Sequence, residues 1–447
     1  MTYDYDLFVI GAGSAGLAAA KGAAAYGARV AIAEQNSLGG TCVNRGCIPK
    51  KLMVYASGFS SLFQDAVGYG WSKVQSQFNW QQFMAAKDKE IQHLNQSYLQ
   101  QLQSAGVKLL RGQASFLDAH TLEVVGTQIT AEKILIAVGG KPIQPNIPGI
   151  EHTITSREIF HLPQQPQRVA IIGGGYIGVE FAYILHGLGS QVTLMDTGES
   201  ILAGFDSDIC MAIQASMAKQ EIRFLGNTTA EKIEQVPEGL CLTLSGDHPD
   251  SLIVDTVLCA IGRTPNVSEL GLEKVGVEVN EKGAIAVDQH SRTTQANIFA
   301  VGDCTNRLNL TPVAKAEGHA FADTEFGGKP QTVNYDLVPS AVFSQPPAAT
   351  VGLSEAQARE KLGDAVCCYH QTFQPLFHRL TQEDEQNLVK LVVDSHSDRI
   401  LGIHIVGEHA AEIMQGMAIA LNMGATKKDF NTTIGIHPST AEELISL

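Results

Sequence analysis

Short apolar runs that break off at glycine clusters set the rhythm of this chain. Residues 6–10 read as a strand that gives way to Gly11-Ala12-Gly13-Ser14-Ala15-Gly16, and an alanine-rich stretch after it is predicted helical to about Gly27. A second strand over 29–33 ends on Glu34. Far along the chain the order returns: strand 168–172, then Gly173-Gly174-Gly175-Tyr176-Ile177-Gly178, a helix to about Gly187, and strand 191–195 ending on Asp196. In both copies the acid stands 23 positions after the first glycine. Two more predicted strands, 134–138 and 258–261, run into Gly139-Gly140-Lys141-Pro142 and Gly262-Arg263-Thr264-Pro265-Asn266. Another, 298–301, ends at Gly302-Asp303, and Thr311-Pro312-Val313-Ala314 opens a helix soon after.

A single G-x-G-x-x-G is weak evidence, but each copy here opens a helix directly after a strand and is followed at the right distance by an acid, the context a dinucleotide site requires. The first glycine allows the turn, the second lets backbone approach a pyrophosphate, and the third lets helix pack on strand. Helix N–H groups then meet phosphate charge, and Glu34 or Asp196 can accept from an adenosine ribose. Two such sites point to a flavin and a nicotinamide. Asp196 favours NADH over NADPH, because a carboxylate binds a 2′-hydroxyl and repels a 2′-phosphate, and no arginine lies between Gln191 and Phe205. Gly139, Arg263, Asp303 and Thr311 are further candidates for flavin or adenine contact.

Cys42 and Cys47, in the run Gly39-Gly40-Thr41-Cys42-Val43-Asn44-Arg45-Gly46-Cys47-Ile48-Pro49-Lys50-Lys51, follow shortly after the first copy. A thiol pair beside a redox cofactor is a place where electrons pass to a disulfide, and this proximity places FAD in the first site. Five residues on a regular helix hold two Cα atoms about 8.6 Å apart, past the roughly 7 Å limit for bridging. The helix must therefore be distorted, and Gly39, Gly40, Gly46 and Pro49 are suited to distort it. The competing reading is two unrelated buried thiols. Cys367-Cys368 lie in an apolar, strand-like run whose alternation points them apart.

The totals narrow the setting. A chain of 447 residues fits two to four domains. Its net charge of −15, with no long basic stripe, disfavours a nucleic-acid or anionic-membrane partner. Eight cysteines are too sparse for a secreted disulfide framework. Without a stretch of roughly 18 apolar residues or a basic leader, a cytoplasmic location is expected, and no metal site is expected.

These motifs resemble, from residue 3 to 447, the pyridine nucleotide-disulfide oxidoreductases, the class of glutathione reductase, dihydrolipoyl dehydrogenase and mercuric reductase. The run 42–51 and the ending His437-Pro438-Ser439-Thr440-Ala441-Glu442-Glu443-Leu444 are most similar to glutathione reductase. The resemblance implies an α/β fold with two Rossmann-like FAD- and NAD(P)-binding domains plus a C-terminal α+β dimerisation domain. Its order would be FAD-binding over 1–145, nicotinamide-binding over 146–263, a segment completing the FAD domain over 264–332, and an interface domain over 333–447. It implies a homodimer, FAD held by Gly11, Gly13, Ser14, Gly16, Glu34, Gly40, Thr41, Cys42, Lys50, Gly139, Asp303 and Thr311, and nicotinamide held by Gly173, Gly175, Tyr176, Gly178, Asp196 and Arg263. Tyr176 would cover the nicotinamide pocket. Cys47 would face the flavin, Cys42 would attack substrate, Lys50 would pair with Glu180, and His437, oriented by Glu442, would move protons from the other subunit. At the substrate, Lys21, Tyr98 and His319 take the places that serve glutathione disulfide, while Glu90 stands where a tyrosine is common. A less anionic disulfide, such as that of glutathione amide, fits this set. Dihydrolipoyl dehydrogenase is the alternative, which Lys50 and the C-terminal run disfavour; a redox sensor without turnover would not need both thiols and the His–Glu pair.

Overall fold

The computed structural model describes residues 2–381 and 383–447, and the chain divides into two compact units. The first gathers residues 1–50, 81–143 and 262–335. Its sheet runs Lys108–Arg111, Val30–Glu34, Tyr5–Ile10 and Thr127–Ile136, with Ile298–Ala300 beside the last, all five parallel. The hairpin strands Ala114–Phe116 and Thr121–Val124 extend it antiparallel. Parallel strands are covered on both faces, so they read as unbroken apolar runs. Successive residues nonetheless divide between two cores: Phe8, Ile10, Ala31 and Ile134 on one face, Leu7, Val9, Ile32 and Leu135 on the other. The second face is closed by helices Ser14–Ala25 and Thr311–Glu325. Small residues bring these helices close: a Cβ on Gly318 would stand 2.4 Å from the Ala15 carbonyl oxygen.

The second unit gathers 51–80, 144–261 and 336–447. It holds a five-stranded parallel sheet in the order Arg223–Leu225, Gln191–Met195, Arg168–Ile172, Thr256–Cys259, Ile154–Thr155. A three-stranded antiparallel sheet over Thr228–Val236, Gly239–Gly246 and Ser251–Val254 accompanies it. The C-terminal part is a five-stranded antiparallel sheet, Ser340–Val342, Ala348–Gly352, Ile400–Val406, Asn387–Asp394 and Val366–Phe373, with helix Ala410–Asn422 packed on its apolar face. Two dinucleotide-type α/β sheets and a C-terminal α+β portion thus make up the fold. Among the described residues no helix is long and apolar enough to cross a membrane.

Candidate redox and dinucleotide sites

The first glycine loop is shaped by contact. Gly11 has φ +103°, and a Cβ there would sit 2.5 Å from the Ala137 carbonyl oxygen. At Gly16 a Cβ would stand 1.9 Å from the Gly11 carbonyl oxygen, so helix and loop touch backbone to backbone. Gly13 is different: its nearest neighbour is the Gly40 Cα at 3.8 Å, and it caps helix Ser14–Ala25 with no side-chain hydrogen bond. That leaves the first N–H groups of the helix without a side-chain cap, which suits a pyrophosphate. Glu34 braces the loop, its two oxygens accepting from Ala12 N–H and Asn36 N–H at 2.8 Å each.

The second loop repeats the arrangement. Gly173 (φ +111°) would press a Cβ within 2.6 Å of the Ala260 carbonyl oxygen, Gly178 within 1.9 Å of that of Gly173, and Gly175 meets nothing within 4 Å. Asp196 takes Glu34's part, accepting from Gly174 N–H at 2.5 Å and Gly198 N–H at 2.7 Å. Tyr176, the first residue of helix Tyr176–Gly187, is 41% exposed. Glu180 on the same helix is buried, and its Oε1 accepts from Phe343 N–H at 3.0 Å.

The distortion expected between the cysteines falls at Gly46. Helix Gly40–Arg45 stops there, helix Cys47–Asp65 starts after it, and the intervening backbone (ψ −122°) is not helical. A Cβ on Gly46 would lie 2.9 Å from the Thr41 carbonyl oxygen. Gly39, at φ +91°, turns the chain into the first of these helices and donates its N–H to Ala12. Gly40 then stacks against Gly13, where a Cβ would come within 2.7 Å of the Gly13 Cα. Backbone contact between the cysteine helix and the glycine loop therefore fixes the thiols beside that loop.

Cys42 and Cys47 stand as free thiols, hydrogen-bonded to each other. That bond, with Thr311 and the Lys50 charge in support, outweighs burial and lowers the Cys47 thiol to about 6. The same bond, together with burial, pushes Cys42 upward. Cys47 is the thiolate and Cys42 its proton donor. Thr311 Oγ1, on the first residue of helix Thr311–Glu325, lies 3.4 Å from Cys47 Sγ. Asp303 sits in the turn Gly302–Thr305 beyond strand Ile298–Ala300, 3.8 Å from the Arg263 guanidinium, which also donates to the Gly140 carbonyl at 2.6 Å. Strands Gly140–Pro142 and Arg263–Pro265 pair antiparallel, joining the two loops singled out from the sequence.

Among the substrate candidates, burial chiefly raises the Tyr98 hydroxyl pKa. Lys21 donates to Gln101 Oε1 at 2.7 Å; burial, then the Lys315 charge, lowers its pKa. His319 is exposed on helix Thr311–Glu325, and Glu90 is exposed on helix Trp80–Ser104. In the second unit His437 is exposed, its Nδ1 3.1 Å from Glu442 Oε1. Ser439 N–H first, and His437 besides, hold Glu442 below the usual carboxylate range. Cys367 and Cys368 lie on opposite faces of strand Val366–Phe373, as alternation dictates. Among the described residues no group of three or more His, Cys, Asp or Glu is placed to hold a metal ion.

Sequence reasoning missed two supports. Asn44 Nδ2 donates to the carbonyls of Leu38 and Gly40 at 2.9 Å, and its Oδ1 accepts from Asn95 Nδ2 at 3.1 Å, clamping the cysteine helix to helix Trp80–Ser104. Asn44 stands inside the quoted run, but its task depends on an asparagine fifty-one residues away. Glu317, which grips the turn bearing Asp303, left no local sign either.

Residues 5–318 match the model for pyridine nucleotide-disulphide oxidoreductases, and residues 338–447 that family's dimerisation domain. The chain is 55% identical over its full length to a glutathione reductase of Nostoc sp. that it also covers fully, and 48% identical to one of Burkholderia cepacia, covering 98% of it. A chloroplastic/mitochondrial glutathione reductase of Pisum sativum is 42% identical, with 82% of it covered. Among solved structures, the HOCl-induced flavoprotein disulfide reductase RclA from Escherichia coli superposes with a TM-score of 0.88 at 30% identity, covering 99% of both chains. The chain belongs to the pyridine nucleotide-disulphide oxidoreductase family and is an enzyme of its glutathione reductase-like, flavoprotein branch.

Proposed function

We propose that the protein reduces glutathione disulfide, or the disulfide of glutathione amide, with NADH preferred over NADPH, through FAD and a reversible Cys42–Cys47 disulfide. The observation that carries this reading is the thiol pair held by Gly40–Gly13 contact at the first dinucleotide loop, with Thr311 against Cys47. FAD, once bound along residues 11–16 with Glu34, Asp303 and Thr311, supplies a two-electron relay from the nicotinamide to the disulfide. The division into 1–145 with 264–332 for FAD, 146–263 for nicotinamide and 333–447 for dimer contact belongs to the same proposal, as does a cytoplasmic setting.

The remaining chemistry falls to the chain's own groups. Once reduced, the Cys42 thiol is deprotonated by the neutral His437 imidazole of the partner subunit, with Glu442 holding the ring. Cys42 sulfur attacks one sulfur of the substrate, forming a mixed disulfide as the first thiolate leaves with the proton from His437. Cys47 thiolate then attacks Cys42 sulfur, which re-forms the internal disulfide and releases the second thiol after one more proton is added. Lys50 keeps positive charge near the thiolate. Lys21, Tyr98 and His319 receive the substrate. Tyr176 shields the nicotinamide pocket until cofactor enters.

Glutathione reductases usually draw on NADPH, so Asp196 makes the coenzyme the sharpest test. Two of its lone pairs already hold Gly174 and Gly198 N–H groups, and those that remain suit a ribose hydroxyl. Steady-state rates for glutathione disulfide and its amide, each with both nicotinamides, decide the matter. The expected kcat/KM is roughly tenfold or more higher with NADH, the equivalent of about 1.4 kcal/mol; equal or reversed values overturn the coenzyme assignment.

A further inference from the structure

Glu317 is a carboxylate 2% exposed in the middle of helix Thr311–Glu325, and nothing in the proposed chemistry uses it. Its Oε2 accepts Gly302 N–H at 2.5 Å; its Oε1 accepts the Tyr335 hydroxyl at 2.7 Å and faces the Arg307 guanidinium at 3.0 Å. Arg307 in turn lies over the Tyr335 ring, 5.3 Å from its centre, and reaches Ser291 Oγ at 3.2 Å and Thr305 Oγ1 at 3.3 Å. A buried charge with this many partners is a poor source of stability, since well-packed apolar residues commonly serve as well. What it gives is a fixed geometry at the group it grips.

That group is the backbone immediately before Asp303. Gly302 opens the turn Gly302–Thr305 at φ +77°, and its N–H is the one Glu317 holds. The same helix starts with Thr311 against Cys47 and lays Gly318 on the Ala15 carbonyl of the glycine-loop helix. One carboxylate thus ties the Asp303 turn to a helix already anchored on the thiol pair and on the phosphate loop. We propose that Glu317 is the positioning residue of the flavin site, fixing the Asp303 carboxylate where a ribityl hydroxyl donates to it. This rests on the assignment of residues 11–16, 303 and 311 to FAD.

The electrostatics give a signature that mere bracing would not. Burial raises the Asp303 pKa most, the Glu317 charge adds to the rise, and the Arg263 guanidinium opposes both. Cys304, the next residue along the chain, is pushed by burial to about 12 and stays neutral. As pH falls through the Asp303 pKa the acceptor for the ribityl hydroxyl loses its charge, the hydrogen bond weakens and FAD affinity drops. Removing the Glu317 charge makes that protonation require more acid.

The test is FAD binding to the stripped full-length protein, followed by flavin fluorescence across the acid range, for wild type, Glu317→Gln and Glu317→Ala. Glu317→Ala weakens binding roughly tenfold or more at neutral pH, the scale of a hydrogen bond to a charged group. Glu317→Gln, whose amide oxygen still accepts from Gly302, recovers most of the affinity, and its acid limb moves to lower pH. An unmoved limb in Glu317→Gln, or wild-type affinity in Glu317→Ala, overturns the proposal; if the alanine variant does not fold, the limb of the glutamine variant decides. A wild-type chain that takes up no FAD overturns the functional reading itself, whereas FAD-binding wild type beside a glutamine variant with an unmoved limb overturns only the role of Glu317.

Discussion

Among single residues, the chemistry of the site turns on asymmetry between two thiols. Cys47 sits at about 6 because Cys42 donates to it, with Thr311 and Lys50 assisting, so the reduced protein carries one thiolate well below the ordinary cysteine value of about 8.5. Because this shift is downward, the thiolate persists as pH falls until about 6 and is lost below it. Ultraviolet thiolate absorbance of the reduced protein should show that transition, and Cys47→Ser should abolish it. The same substitution lowers disulfide turnover by roughly a thousandfold or more, as expected when one member of a catalytic unit is removed, while flavin stays bound; appreciable remaining turnover would make the pair a bystander. Cys42 and Cys47 were legible in sequence because the bond between them needs only a short local motif. Asn44, Asn95 and Glu317 were not, because each acts on a group remote in the chain and carries no signal of its own.

Among the elements, glycines do the placing, and their tasks separate cleanly. Gly27 and Gly40 both have positive φ, yet a Cβ on Gly27 meets open space while one on Gly40 meets the Gly13 Cα at 2.7 Å. Gly40→Ala should therefore lift the cysteine helix from the glycine loop, weaken flavin retention and lower the melting midpoint by several degrees, from an overpacking cost of about 1–3 kcal/mol. Gly27→Ala should cost only the backbone term, about 1 kcal/mol, and leave flavin retention unchanged; comparable losses in both would remove the contact argument. The strand–glycine–helix–strand repeats were readable because buried parallel strands and phosphate turns impose local patterns. The course of helix Cys47–Asp65 was not. It leaves the first unit after Lys50, and in the second Ser57 accepts from the Gln345 amide at 2.9 Å, a partner found only by folding.

For the molecule as a whole, the least legible feature is a charge in a core. Lys390 is the lone charge within the apolar run of strand Asn387–Asp394, and it is fully buried. Its ammonium donates to Asp206 and Asp208 at 2.9 and 2.7 Å and pairs with Glu355 at 2.8 Å, joining the start of helix Ser207–Lys219 to the C-terminal sheet. Burial alone would lower the Lys390 pKa, but the three carboxylates raise it further. Lys390→Met should cost about 3–5 kcal/mol, the penalty for orphaning buried charge, and lower the thermal midpoint accordingly. Glu355, held at about 2 chiefly by Lys390, contributes stability above its ordinary value of 4.5 that is lost as pH falls toward 2. In Lys390→Met that part of the acid profile should flatten, and an unchanged profile would show that the pair does not couple the two parts.

Whether reducing power from NADH reaches one internal sulfur pair is decided by thiol trapping. FAD-loaded protein, air-oxidised and then incubated anaerobically with NADH, is alkylated and its cysteines are mapped by mass spectrometry. The expected outcome is that Cys42 and Cys47 are both alkylated after NADH and neither before. Equal labelling of the two without NADH, or a flavin that bleaches while both stay unlabelled, would contradict it.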